Sequence, residues 1–174
     1  MFDQLALRLR TAGLLGLLGL MALSPTAFAQ DAGPAMDTET FKDWDVNCPV
    51  NSSEGNCAMT QMIEDASGEP VLRVVVGNPP QLDSAAMTIL TPLGVRLAAG
   101  LQLQVDSNEP VGMPYQVCLP QGCRADLPLP AELVSQLRGG STATISMIDP
   151  DDQRVDLDVS LMGFTSAKQY LDQH

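Results

Sequence analysis

From Phe41 onward, apolar and polar residues alternate with a period of two. Trp44, Val46 and Cys48 fall on one side of a strand, with Asp45 and Asn47 on the other. Leu72, Val74 and Val76 share one face, and Leu101, Leu103 and Val105 alternate with Gln102 and Gln104. The cleanest run sets Val155, Leu157, Val159 and Leu161 against Arg154, Asp156, Asp158 and Ser160. One apolar and one wet face per strand is the mark of an antiparallel sheet packed on a core. Further strands are expected at 57–64, 86–91, 93–98, 115–118 and 142–148. Asp65-Ala66-Ser67-Gly68, Asn78-Pro79-Pro80, Ala99-Gly100, Gly139-Gly140 and Asp149-Pro150-Asp151-Asp152 supply turns between them. Many short strands punctuated in this way favour a sandwich or barrel.

Two segments change period. Around 130–138, a proline suited to a first helical turn, leucines at 133 and 137, and the closing glycines predict a short helix. A second is expected at about 165–172. Residues 30–40 are small, polar and aperiodic, and read as a flexible lead-in to one domain spanning 41–174.

The opening 29 residues follow a different logic. Arg8 and Arg10 precede an uncharged apolar run from Thr11 to Ser24, and Ala27-Phe28-Ala29 offers a small-x-small cleavage pattern. Such a segment reads as a secretory signal peptide, and its apolar run is shorter than the roughly 20 residues a bilayer core requires. Removing it would change 9 basic and 21 acidic residues to 7 and 20, a net charge of about −13. Phosphate backbones would be repelled, which argues against nucleic-acid partners. Once the signal is cleaved, no transmembrane segment is expected.

Catalytic chemistry finds few footholds. A Ser-His-Asp or Cys-His arrangement needs a fixed imidazole, and the one histidine is His174, at the end of the chain. The cysteine spacings, Cys48 to Cys57 and Cys118 to Cys123, lack the C-x2-C knuckle of zinc sites, and the acidic cluster at 149–152 lacks the ligand spacing of a calcium loop. No metal or cofactor is expected. In an exported chain the cysteines meet oxidants, and each pair brackets a plausible hairpin turn. The favoured pairing is therefore Cys48 with Cys57 and Cys118 with Cys123. The alternative is a long inter-sheet bridge of immunoglobulin type, against which Trp44 lies before the first cysteine rather than between two.

Taken in order, the segments beginning Phe41-Lys42-Asp43-Trp44, Cys57-Ala58-Met59-Thr60-Gln61, Thr91-Pro92-Leu93-Gly94, Tyr115-Gln116-Val117-Cys118 with Gly122-Cys123, and Val159-Ser160-Leu161-Met162-Gly163-Phe164 resemble the invasion-associated locus B family of exported bacterial proteins. The resemblance implies an all-β, immunoglobulin-like antiparallel β-sandwich in the periplasm or at the outer surface of a Gram-negative cell. It brings no catalytic residue set. The expected function is binding, without catalysis, to an unknown envelope or host protein, with any role in invasion left open. The rigid tip Pro120, Gln121 and Gly122 is the candidate contact. The alternatives are a periplasmic thiol-disulfide protein using Cys118 and Cys123, and a structural envelope protein that self-associates through a sheet edge.

Overall fold

A computed structural model describes residues 35–174, apart from 52 and 54; the export segment expected at 1–29 lies outside the described residues. The alternating segments become strands β1 (Met36–Phe41), β2 (Trp44–Pro49), β3 (Ala58–Glu64), β4 (Pro70–Gly77) and β5 (Ala86–Thr91). Next come β6 (Leu101–Val105), β7 (Val111–Met113), β8 (Tyr115–Leu119) and β9 (Gly122–Pro128), then β10 (Thr142–Ile148) and β11 (Arg154–Ser160). One sheet has seven strands in the order β1-β2-β3-β4-β5-β9-β8, and the other has four in the order β11-β10-β6-β7. The pairings are antiparallel. The layers are those of an antiparallel β-sandwich, with a meander of five consecutive strands in the larger sheet.

The period-two residues fill the space between the sheets. Val46, Met59, Leu72, Val74, Val76, Met87 and Ile89 from the large sheet are buried with Leu101, Leu103, Val105, Ala143 and Ile145 from the small one. Helix α1 (Ala131–Gly139) adds Leu133 and Leu137, and helix α2 (Phe164–Leu171) adds Phe164, Ala167 and Leu171. Among the described residues, no helix is long and apolar enough to cross a membrane.

Four segments depart from the pattern read in sequence, the first being β9, which is not among the strands expected although Cys123, Ala125 and Leu127 alternate inward along it. The lead-in expected over 30–40 is a strand from Met36, paired along its length with β2. Its residues up to Thr40 are exposed, so no apolar periodicity marks it. The strand expected at 93–98 is instead a bend with a 3-10 turn at Leu97–Ala99. Gly94 takes φ +89° there, and the Arg96 N–H donates to the Ile148 carbonyl at 2.9 Å, folding the segment over the end of β10. Finally β7, only three residues long and mostly exposed, shows no period at all.

A buried amide ties the two sheets together. Gln61 points inward from β3, where alternation calls for an apolar residue, and is almost fully buried. Its Nε2 donates to the Asp43 carbonyl at 2.9 Å and the Ser160 carbonyl at 3.0 Å, while its Oε1 accepts the Ser160 N–H at 2.9 Å. The carboxamide thus acts as a ladder rung between β3 and the end of β11. Trp44 Nε1 donates to the same Ser160 carbonyl at 2.9 Å, and the Ser160 hydroxyl donates to the Asp43 carboxylate at 2.5 Å. Just beyond, Gly163 has φ +88°, and a Cβ there would lie 1.9 Å from the Phe41 carbonyl oxygen, so only glycine allows this approach. Phe164 then meets Trp44 edge-on, ring centroids 5.3 Å apart.

The far end of α2 is held by charge. Lys168 is buried and pairs with Asp172 one turn on; Asp172 also accepts from Asn78 at 3.2 Å and lies 3.5 Å from Arg138 of α1. Partial burial works against the Asp172 carboxylate. The hydrogen bonds from Lys168 and Asn78, with the Lys168 and Arg138 charges, outweigh it and hold the carboxyl below its ordinary value.

These ties carry three stability predictions. Gln61→Leu strands the Ser160 amide and the Asp43 carbonyl, while the Ser160 carbonyl keeps Trp44, and is expected to cost about 2–4 kcal/mol in urea unfolding, at roughly a 1–3 kcal/mol penalty per orphaned buried group; Gly163→Ala should cost more. For Asp172, a lowered folded-state pKa means stability that is present above the unfolded value and lost as pH falls through the folded one. Asp172→Asn should therefore cost about 1–2 kcal/mol at pH 7, given its partial exposure. That difference should begin to shrink as pH falls below the ordinary aspartate value of about 3.9, and should vanish only below the lower folded-state value, where wild-type Asp172 also becomes neutral.

Candidate functional site

The Pro120-Gln121 turn joins β8 to β9, which pair Leu119 with Gly122 and Cys118 with Cys123. The structure closes Cys118–Cys123 across this hairpin, Cα atoms 4.0 Å apart, and Cys48–Cys57 across the β2–β3 connection, 4.1 Å apart. Loops this short stabilise by about 2–3 kcal/mol each in the chain-entropy account. Cys118 is exposed on the sheet edge and Cys123 is buried. Both sit on strands, and α1 begins only at Ala131, so neither sulfur stands in the first turn of a helix among the described residues, the placement that lowers a thiol pKa.

The tip is also seated on its neighbour. Gly122 has φ +140°, and a Cβ would come within 2.3 Å of the Thr91 carbonyl oxygen, so the hairpin lies directly on the Thr91-Pro92 segment. At the other end of β8 the ladder shifts register between Tyr115 and Val117, and Gln116 Oε1 accepts the Asp126 N–H at 2.6 Å. Asp126 in turn accepts from Thr88 at 2.7 Å and from Arg124 Nε at 2.9 Å. Beneath the sheet, burial pushes the Tyr115 phenol up while the Thr91 hydroxyl opposes this. The pair falls short of hydrogen-bond geometry, so both buried oxygens are without a partner.

On the outer face, strand register sets Met62, Arg73, Leu90, Arg124 and Val117 in one row across five strands. Apolar and cationic side chains alternate along it. Met62 is 47% exposed, Val117 43%, and Leu119 and Leu93 57% each. A groove of about 330 Å³ runs beside the row, lined by Met62, Val71, Arg73, Leu90, Pro92 and Gln121 among others. Of the three tip residues singled out in sequence, Gln121 lines this groove, Pro120 forms the exposed turn, and Gly122 provides the close backbone approach. The row itself was missed in sequence. Its one signal was the apolar residue on both faces of Val117-Cys118-Leu119, unusual for an edge strand.

Other groups considered in sequence are used locally. His174 stacks on Tyr170, centroids 4.1 Å apart, with Nδ1 2.9 Å from the Tyr170 carbonyl oxygen. In the 149–153 turn, Asp149 accepts the N–H groups of Asp151 and Gln153, and Asp152 pairs with Arg96 at 2.7 Å. Among the described residues no cluster of three or more His, Cys, Asp or Glu side chains stands in metal-holding geometry.

The model of the invasion associated locus B (IalB) protein family matches residues 44–172. This chain belongs to that family. Over 152 residues it is 30% identical to the invasion protein B homologue of Brucella abortus (strain 2308), covering 85% of this chain and 86% of that one. Over 172 residues it is 26% identical to invasion protein B of Bartonella bacilliformis, covering 87% and 90% of the two chains. The crystal structure of invasion associated protein B from Bartonella henselae superposes with a TM-score of 0.71 at 23% identity, over 79% of this chain and 96% of that one, a likeness of fold.

The five segments that carry the IalB resemblance gather in two places. Asp43-Trp44, Gln61 and Ser160–Phe164 build the tie between the sheets. Thr91-Pro92 and Gly122-Cys123 build the seat of the hairpin. The IalB pattern in this chain thus marks one structural joint and one exposed, braced surface. Gly122→Ala should break the second, lowering stability by about 2 kcal/mol through strain at positive φ and the clash with Thr91. Tyr115→Phe removes only an unpartnered hydroxyl and should leave stability within about 1 kcal/mol of wild type, or raise it, when both variants are compared by urea unfolding.

Proposed function

We propose that this chain acts in the bacterial envelope by binding a protein partner, without catalysis, and that the hairpin end of the large sheet is the binding face. The observation that carries this reading is the row Met62-Arg73-Leu90-Arg124-Val117 with Leu119 beside it, apolar and exposed on a hairpin closed by a disulfide. Exposed aliphatic side chains on a rigid support are suited to a partner surface, because little entropy is lost in ordering them. Arg73, which belongs to no ion pair among the described residues, favours a partner whose apolar contact is flanked by a carboxylate.

Two disulfides and the expected signal at 1–29 support export to an oxidising compartment, in the periplasm or at the cell surface. The relatives are named for invasion. A part in host interaction is the corresponding proposal for this chain, with the hairpin face as the contact. A thiol-disulfide role for Cys118 and Cys123 is less well supported, because both sulfurs come from strands and serve to hold the hairpin closed.

A photo-crosslinking residue placed at Leu119 should capture a defined partner in native envelopes, and one placed at exposed Asp158 on the small sheet should not. Adding Val117→Asp to the Leu119 probe should abolish capture while leaving the unfolding temperature within a few degrees. Equal capture from both positions would overturn the assignment of the face.

A further inference from the structure

A second surface lies at the opposite end of β9 from the hairpin tip, roughly 20 Å away at 3.3 Å per residue. Here a groove of about 680 Å³ opens between the loop before β7, the end of β9 and the first turns of α1. Its volume is in the range of ligand-sized clefts. Buried Leu127 and Leu133 lie at its base, and Pro110, Val111, Pro128 and Pro130 line it. Proline rings give an apolar wall whose backbone is already fixed, so little ordering is required when something binds.

The charge of this groove has one sign. Glu109 enters from the loop side and Glu132 from the helix side, and no lysine or arginine lines it. Neither glutamate belongs to an ion pair among the described residues, where Arg96, Arg124, Arg138, Arg154 and Lys168 each hold an aspartate. The N-terminus of α1 contributes about half a positive charge nearby. Glu132 in its first turn more than cancels that, and Glu109 adds a second full negative charge.

We propose that this groove binds a cationic amphipathic segment of a partner protein. Leucine-like or aromatic side chains of the segment rest on the proline and valine walls, and flanking lysine or arginine heads meet Glu109 and Glu132. An anionic segment would face two unpaired like charges in the same space. This surface is separate from the hairpin face, so either assignment can fail without the other.

The test uses the full chain and two short fluorescent peptides. One alternates lysine with leucine and tryptophan; the other replaces every lysine with glutamate. The cationic peptide should bind, and the double variant Glu109→Gln/Glu132→Gln should weaken it roughly 3- to 10-fold, the scale of two rim ion pairs. Because the chain carries a net charge of −12, the control Glu64→Gln/Glu69→Gln removes the same charge from the β3–β4 turn. It should leave affinity within about twofold, since exposed charges beyond a Debye length are screened. Val111→Asn should also weaken binding, because it removes part of the apolar wall without changing the charge of the groove. The proposal is overturned if the glutamate peptide binds equally well, if the control weakens binding as much as the groove variant, or if the groove variant has no effect.

Discussion

The buried carboxamide of Gln61 is the constraint on which the rest of the sandwich depends. A polar side chain between two sheets destabilises unless its hydrogen-bonding groups are matched, and an amide deep in an apolar core is costly when half satisfied. Here it bonds the backbone of β11 through both its oxygen and its nitrogen, and that of the β1–β2 turn through its nitrogen. Once Ser160 is fixed, Trp44 has its acceptor, Gly163 lies against Phe41, and Phe164 starts α2 over the tryptophan. One corner of the fold therefore sets where the helix goes and how the sheets face each other.

The hairpin end uses different means for a different purpose. Backbone contact at Gly122, the Cys118–Cys123 bridge and the Gln116-Asp126-Thr88 hydrogen bonds hold a short edge strand that would otherwise fray. What this bracing presents to solvent is a row of alternating apolar and cationic side chains on an otherwise acidic chain. An unpaired strand edge with exposed valine and leucine invites association. In a chain that works by presenting a surface, that exposure is the useful property.

Much of the fold was legible because period-two alternation and one buried face are the same fact seen twice. The runs at 72–76, 101–105 and 142–148 lie where their patterns place them, and both short helices fall within a residue of expectation. Most of what failed had no buried face to report; β9 is the exception, its inward Cys123, Ala125 and Leu127 separated by Arg124 and Asp126 but following the hairpin tip too closely to be counted as a strand of its own. β1 shows side chains to water on both sides, β7 is too short to repeat, and 93–98 looked like a strand because nothing local encodes its contact with Ile148. The candidate face was only half legible. The tip at Pro120–Gly122 stands out by its turn chemistry, whereas Met62, Arg73 and Leu90 join it through register, which links residues as much as 62 positions apart between Met62 and Arg124. Gln61 could have been found as a glutamine in an apolar position, but its partner at Ser160 could not.

Hydrogen–deuterium exchange of the chain in native envelopes, compared with the purified chain, addresses the central claim most directly. The account predicts slower exchange in the envelope at 115–124 and 91–94, with 150–158 unchanged. Equal exchange throughout, or slowing confined to 150–158, would contradict it.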